Sequence, residues 1–351
     1  MSPRRRPVDQ DDETHELDFT ALESFIRDQV QAESVFIGHA EKLSGGAIQE
    51  NWLLEVSIEG GLCPGDHEWV LRADAKSSVQ QSLSRPQEFA VLNLAFNKGV
   101  KVPRPLWLCE QAGVIGRPFF VMEKVAGSAG GQVLTSRVKP GGSPELAFEL
   151  GANLARVHTI QPPEADLDFL RAPHDSSFEA KVAQIRTYLD TLGQPQPVIE
   201  WGLRWCENNV PRSHEICLLH GDYRTGNYMV DGESLQAVLD WEFTEWGNPL
   251  QDIGWFTAKC WRFARPDLEA GGVGALGDFL RGYNSVTSLN VDAHELNFWQ
   301  VFATIRWAVI ALQQGERHAS GTEISLELAL TGRMLPELNQ DILILTGGLR
   351  P

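Results

Sequence analysis

Apolar positions along the chain change their spacing near residue 127. The run "FTALESFIRDQV" puts Leu22, Phe25, Ile26 and Val30 on one side of a helix. "KLSGGAIQENWLLEVSIEGG" reads as strand-like runs about a Gly turn, and "HEWVLRADA" as a further short strand. "SRPQEFAVLNLAFNKGV" opens with Ser84 and Pro86 ahead of a helical apolar pattern and stops at Gly99. "RPLWLCEQAGVIGRPFFVMEKVAG" predicts two strands joined by a Gly-containing turn. Residues 18–125 are therefore expected to form an antiparallel sheet carrying one internal helix.

Beyond Gly127 the pattern becomes helical. "SAGGQVLTSRVKPGGSP" is Gly-rich and reads as irregular, a loop or a substrate-side insertion. "PELAFELGANLARVHTI", "SSFEAKVAQIRTYLDTLG" and "PVIEWGLRWCENNV" predict helices, as do "DIGWFTAKCWRF", "ALGDFLRGYNSV", the segment from His294 to Ala319 and the C-terminal stretch to Leu345. A sheet-rich first part and a helix-rich second part make an α+β architecture. The expected division is a polar mobile tail at 1–17, an N-lobe at 18–125 and a C-lobe at 126–351.

A chain of 351 residues is long enough for two lobes, and 42% hydrophobic with 22% charged residues describes a globular protein with a sizeable core. A net charge of −17 argues against nucleic-acid binding, which needs a basic face. The five cysteines, at 63, 109, 206, 217 and 260, show no C-x-x-C pair and read as reduced thiols of a cytoplasmic protein. The most apolar late stretch is broken by Arg306, so no membrane span is expected. "MSPRRRPVDQDDETHE" lacks the apolar core of a secretory signal.

The chemistry concentrates in "LLHGDYRTGNYMVDGESLQAVLDWEF", Leu218 to Phe243. Asp222 and Asn227 are separated by four residues, and Asp240 ends the next apolar run. Turn formers alone can populate such a stretch. Yet Asp222 and Asn227 keep the spacing of the kinase catalytic loop H-R-D-x-x-x-x-N, which precedes a metal-binding Asp. Mg²⁺ takes one or two carboxylates together with substrate phosphates. Arg224 stands two residues after Asp222, where many kinases carry a Lys directed at the moving phosphate. His220 is expected to shape the loop rather than to act as a base. Glu242 reads either as a partner of a metal-bound water or as a structural charge.

A nucleotide clamp is expected from the first part. Ser44, Gly45 and Gly46 sit between strands, where backbone N–H groups can cover phosphates. Arg72 ends "EWVLR", in the place of the kinase Lys, and Glu88 on the next helix is its candidate partner. Either can equally be an ordinary strand-end or helix-start charge. In "VMEKVAG", Met122 lies at the lobe junction, with the Glu123 carbonyl and the Val125 N–H offered to an adenine edge and Lys124 pointing outward.

"HGDYRTGN", "VLDWE" and "GNPLQDIGWF" resemble the aminoglycoside phosphotransferase family, from about Phe19 to the end of the chain. "LSGG", "VLR" and "DWE" are similar to the bacterial branch related to kinase-like domains fused to some acyl-CoA dehydrogenases. The resemblance implies a bilobal protein-kinase-like fold, Mg²⁺ as cofactor and ATP as phosphoryl donor, with GTP left open. It implies Asp222 as catalytic carboxylate, Asn227 and Asp240 as metal ligands, and Asp252 as a buried brace for the loop. "DWE" stands where kinases have D-F-G, so control by a moving Phe is not implied.

The acceptor is less constrained. Trp241, Trp246, Trp255, Trp261, Trp299 and Trp307 all follow the loop. Their faces can hold a cation or an acyl group, or simply fill the core. Three functions stay open: a metabolite hydroxyl kinase, acting for instance on a hydroxyacyl compound or an amino alcohol; an antibiotic-modifying kinase; and a silent nucleotide-binding pseudokinase. Nucleic acid and membrane are not expected partners.

Overall fold

The computed structural model describes residues 17–43, 49–74, 82–171, 177–211, 215–289 and 291–349. The chain falls into two compact units, Met1–Ser78 with Leu106–Met122, and Val79–Pro105 with Glu123–Pro351.

The first unit begins with α1 (Phe19–Val30), capped by the Asp18 side chain, which accepts the Ala21 N–H at 3.1 Å. Leu22, Ile26 and Val30 recur every four residues and are buried. Strands β1 (Ser34–Lys42), β2 (Gln49–Glu59) and β3 (Gly65–Asp74) follow, each antiparallel to the next. The chain then leaves this unit to form α2 (Arg85–Asn97) and returns with β4 (Pro105–Cys109), the short α3 (Ala112–Ile115) and β5 (Phe119–Glu123). The sheet order is β1-β2-β3-β5-β4. Its core joins the apolar stripe of α1 to Leu54, Val56, Trp69, Leu71, Phe119 and Val121. Period-2 alternation on β2 supplies Leu54, Val56 and Ile58 to that one face.

In the second unit, α2 starts with a capping box between Ser84 and Gln87, with Pro86 in its first turn, and the chain turns at Gly99 with φ +75°. The sequence places this helix inside the sheet-rich part. By its contacts it groups instead with the helical unit, where it packs on the turn Ala165–Leu167. The stretch after Gly127, expected to be irregular, contains α4 (Gly131–Arg137). Then come α5 (Pro144–His158), α6 (Phe178–Thr191) and α7 (Pro197–Asn208), as the periodicity predicts.

Strand β6 (Cys217–Leu219) leads into the Asp222 loop, followed by β7 (Tyr228–Asp231), β8 (Ser234–Val238) and β9 (Glu245–Gly247). The two strands flanking the loop do not pair with each other: β6 pairs with β9, and β7 with β8. The loop therefore crosses from one small ladder to another. After it come α8 (Leu250–Thr257), α9 (Leu276–Asn284), α10 (Ala293–Ala319), α11 (Leu326–Gly332) and α12 (Leu335–Leu345). The helix expected across "DIGWFTAKCWRF" stops at Thr257 and gives way to a 3₁₀ turn, Lys259–Trp261. Helix α5 packs on α9, and α8 on α10. Among the described residues, no helix is long and apolar enough to cross a membrane.

Candidate active site

The loop from His220 to Asn227 is held from below by the first turn of α8. The buried Asp252 carboxylate accepts the His220 N–H at 2.7 Å and the Gly221 N–H at 3.0 Å. His158, from the end of α5, adds a third contact at 3.3 Å, and its other ring nitrogen meets the Tyr283 hydroxyl at 2.7 Å. Burial pushes the Tyr283 hydroxyl up, so it stays protonated. Burial also pushes the Asp252 carboxyl up, but the bonds from His158 and the His220 backbone outweigh it and hold the group below its ordinary value. Asp252 is thus the buried brace that the resemblance implied.

Gly221 takes φ +79°, and a Cβ there would stand 2.0 Å from the Phe243 carbonyl. Only glycine lets the loop pass this close to the segment after Asp240. His220 Nδ1 accepts the Asp222 N–H at 3.1 Å and Nε2 meets the Leu239 carbonyl at 2.9 Å, so the proton sits on Nε2. With both ring nitrogens engaged, His220 shapes the loop.

The Asp222 side chain is buried and anchored on three sides. Trp255 Nε1 donates to Oδ1 at 2.8 Å, and Asn227 Nδ2 donates to Oδ2 at 2.7 Å. Arg224 Nε donates to both oxygens, at 3.2 and 3.1 Å. The Arg224 guanidinium also lies over the Trp261 ring, 4.7 Å from its centroid. Asn227 Nδ2 makes a second bond to the Asp222 carbonyl at 3.0 Å, which leaves Asn227 Oδ1 as the atom available to a cation.

Asp240 reaches the same neighbourhood through the backbone, because the Leu239 N–H donates to the Asn227 carbonyl at 2.7 Å. Asp240 itself takes φ +68°, a left-handed conformation that Asp adopts more readily than most residues. Among the described residues no three His, Cys, Asp or Glu side chains converge on one point. A cation held by Asn227 and Asp240 would draw its other ligands from phosphate and water, and these all-oxygen donors fit Mg²⁺.

The structure therefore brings Asp222, Arg224 and Asn227 together through hydrogen bonds, and the Leu239 backbone bond to Asn227 sets Asp240 one residue further along the adjoining segment. Of the residues expected on the nucleotide side, Arg72 is buried on β3, across from Asn51, whose Oδ1 lies 3.4 Å from Arg72 Nη1. Glu88 is buried on α2 and forms an ion pair with Arg85. The Glu123 N–H donates to the Arg104 carbonyl at 2.9 Å. Met122 and Val125 are half-buried on either side of it, and Lys124 is exposed. Ser44, Gly45 and Gly46 lie outside the described residues. Glu242 is buried, and its carbonyl accepts the Leu83 N–H at 2.8 Å.

Sequence reasoning gave no part to Arg306 or His158. Arg306, on α10, donates to the Gly221 carbonyl at 2.8 Å and stacks over Trp255 at 4.4 Å. The available signal was an Arg interrupting an apolar helical stretch, since such a charge is retained inside only when paired. Most of the Trp side chains behave as core. Trp241 packs on His220 at 4.6 Å, and Trp255, Trp261 and Trp307 form one cluster.

A family model described as the phosphotransferase enzyme family matches residues 39–289. Acyl-CoA dehydrogenase family member 11 of Rattus norvegicus is 25% identical over 286 residues, 78% of this chain and 37% of that protein. Family member 10 of Mus musculus is 24% identical over 77% of this chain and 26% of its own length. The chain thus spans about a third or less of these two relatives. A crystal structure from Ralstonia eutropha, assigned provisionally to the aminoglycoside phosphotransferases, superposes with TM-score 0.72 at 21% identity, covering 96% of this chain and all (100%) of that one. Spectinomycin phosphotransferase APH(9)-Ia, solved with ADP and spectinomycin, gives TM-score 0.61 at 12% identity over 94% of this chain and 98% of that one. These likenesses carry the kinase-like fold, and with the family match over residues 39–289 the chain belongs to the aminoglycoside phosphotransferase (APH) group of phosphotransferase enzymes.

Proposed function

We propose that the chain transfers the γ-phosphoryl group of ATP to a hydroxyl of a small-molecule metabolite, with Asp222 as the catalytic carboxylate. The observation that carries this reading is the fixing of the Asp222 carboxylate by Asn227, whose amide N–H bonds leave its Oδ1 as the acceptor atom of that side chain. A silent binding module has no need to hold a buried carboxylate in one orientation at the cost of desolvating it.

In this mechanism Asp222 accepts a hydrogen bond from the acceptor hydroxyl and orients it in line with the γ-phosphorus. The acceptor oxygen–phosphorus bond forms as the bond to the β,γ-bridging oxygen breaks; the hydroxyl proton passes to Asp222, and ADP leaves. Asn227 Oδ1 and Asp240 would hold Mg²⁺, which when bound neutralises charge on the phosphate oxygens. Arg224 would exchange Asp222 for the transferring phosphoryl group and stabilise its charge. We assign nucleotide contacts to Arg72, Glu88, Met122, Glu123 and Val125, together with Ser44, Gly45 and Gly46.

The relatives named as acyl-CoA dehydrogenase family members favour a metabolic acceptor, such as a hydroxyacyl compound, over an antibiotic. The test is a screen of hydroxylated metabolites, with an aminoglycoside panel alongside, read as ADP released from ATP and Mg²⁺. The expected result is turnover with a metabolite that Asp222→Asn lowers by about 10²-fold with nucleotide affinity retained. Equal turnover by parent and variant would sink the assignment. Phosphorylation confined to the aminoglycosides would move the acceptor to the antibiotic class.

A further inference from the structure

We propose that Trp255 is a positioning residue for this phosphoryl transfer, its indole N–H fixing the Asp222 carboxylate in the orientation the acceptor hydroxyl requires; the proposal rests on the phosphotransferase reading above. The argument begins with the spacing on α8. Asp252 and Trp255 are three residues apart, so both face the same side of the helix. Asp252 takes the backbone of the loop, at His220 and Gly221. Trp255, one turn on, takes the Asp222 side chain at 2.8 Å. One helix face therefore fixes both where the loop lies and how its carboxylate is turned.

The indole is itself held. Arg306 stacks over its face at 4.4 Å while donating to the Gly221 carbonyl at 2.8 Å. The ring is thereby referred to the same loop backbone that carries Asp222. Helix α10 delivers Arg306 because α8 lets it come close: a Cβ on Gly254 would stand 2.5 Å from Trp299 Cβ. The neighbouring indoles do not do the same work. Trp261 Nε1 and Trp307 Nε1 are buried without a hydrogen-bond partner, although both rings pack in the same cluster as Trp255. Packing alone would not turn one indole N–H onto a carboxylate oxygen.

Two of the three donors to Asp222, Trp255 and Asn227, are buried, whereas the Arg224 side chain is 27% exposed and, on the mechanism above, is the one that would leave for the phosphoryl group. Once Arg224 moves, Trp255 alone holds Oδ1. Losing that bond as well would leave only the Asn227 bond to Oδ2, about which the carboxylate can pivot, and a small misplacement of a reacting group costs rate more than binding.

The experiment uses the full chain with ATP and Mg²⁺, measuring ADP release with the best acceptor or, without one, with water. Trp255→Phe keeps most of the ring and removes the donor; it is expected to lower kcat roughly 10-fold or more, with Mg-ADP affinity within about twofold. Trp307→Phe alters the same cluster without touching Asp222 and should leave kcat within about twofold, since only packing changes. Trp255→His, which restores a ring N–H, should recover part of the loss. A Trp255→Phe enzyme with parental kcat overturns the proposal. So does equal loss in Trp255→Phe and Trp307→Phe, which would mark a packing effect.

A second measurement needs neither turnover nor a stable Trp255 variant. In the ¹⁵N-labelled chain, the Trp255 indole N–H resonance should shift on Asp222→Ala while that of Trp307 stays. An unmoved Trp255 resonance overturns the proposal. If it moves but the parent releases no more ADP than Asp222→Asn, the phosphotransferase reading fails, and the positioning role falls with it.

Discussion

Arg224 clasps Asp222, its Nε donating to both carboxylate oxygens at 3.2 and 3.1 Å. The sequence points this arginine at a moving phosphate, by analogy with the kinase Lys two residues after the catalytic Asp. In the structure the guanidinium instead bonds the carboxylate and rests on the Trp261 ring. On the proposed mechanism, a phosphate entering the site would offer the guanidinium a second partner and free Asp222 for the acceptor.

On the same mechanism, Arg224→Ala removes a group that would meet the phosphoryl group mainly in the transition state. The expected outcome is a fall in kcat of roughly 10- to 100-fold with nucleotide affinity nearly unchanged, because an interaction made mainly in the transition state shows in kcat. Steady-state kinetics with a separate nucleotide titration checks it. A variant as fast as the parent would show that Arg224 never meets the phosphate.

Asp240→Ala removes the half-buried carboxylate assigned to the metal. Turnover should be abolished, with stability lowered only by the roughly 1–2 kcal/mol that the left-handed backbone costs Ala. Nucleotide binding should lose its dependence on Mg²⁺. Calorimetric titration of ADP with and without Mg²⁺ reads this directly; a metal dependence that survives intact would place the cation elsewhere.

Asp252 accepts three hydrogen bonds while buried, and its carboxyl lies below its ordinary value. Because the folded-state value is depressed, its contribution to stability is present above the ordinary Asp value, about 4, and is lost as pH falls through the lowered folded value. Asp252→Asn would turn an NH2 group toward one of the two backbone N–H donors, since His220 and Gly221 bond different oxygens, and would remove the charge. It should lower stability by about 3 kcal/mol near neutrality, the scale of lost bonds to a charged group. Urea unfolding of parent and variant across the acid range should show this gap closing below about pH 4. A gap independent of pH would mean that charge on Asp252 is not its source.

Lys124 is exposed beside the backbone groups assigned to the adenine. If recognition there is by the Glu123 carbonyl and the Val125 N–H, Lys124→Ala should leave ATP affinity within about twofold, as expected of an exposed surface charge. A tenfold loss in a nucleotide titration would transfer recognition to the side chain.

The sequence by itself determined the period change near Gly127, the cap and stop of α2, most of the helices of the second unit, and the placing of Asp222 and Asn227 on one loop. These are local quantities: apolar spacing, turn chemistry and the separation of residues along one loop. Tertiary structure decided what lies far apart in the chain. Helix α2 joined the helical unit because its buried face packs on Ala165–Leu167, which no pattern within α2 encodes. Strands β6 and β7 flank one loop yet pair with different partners, because a strand's ladder is chosen by the whole unit. The hold on Asp222 was equally hidden. Trp255 stands 33 residues away and reads as core, and Arg306 lies 85 residues from Gly221; only the packing of α8 on α10 brings their donors to the loop.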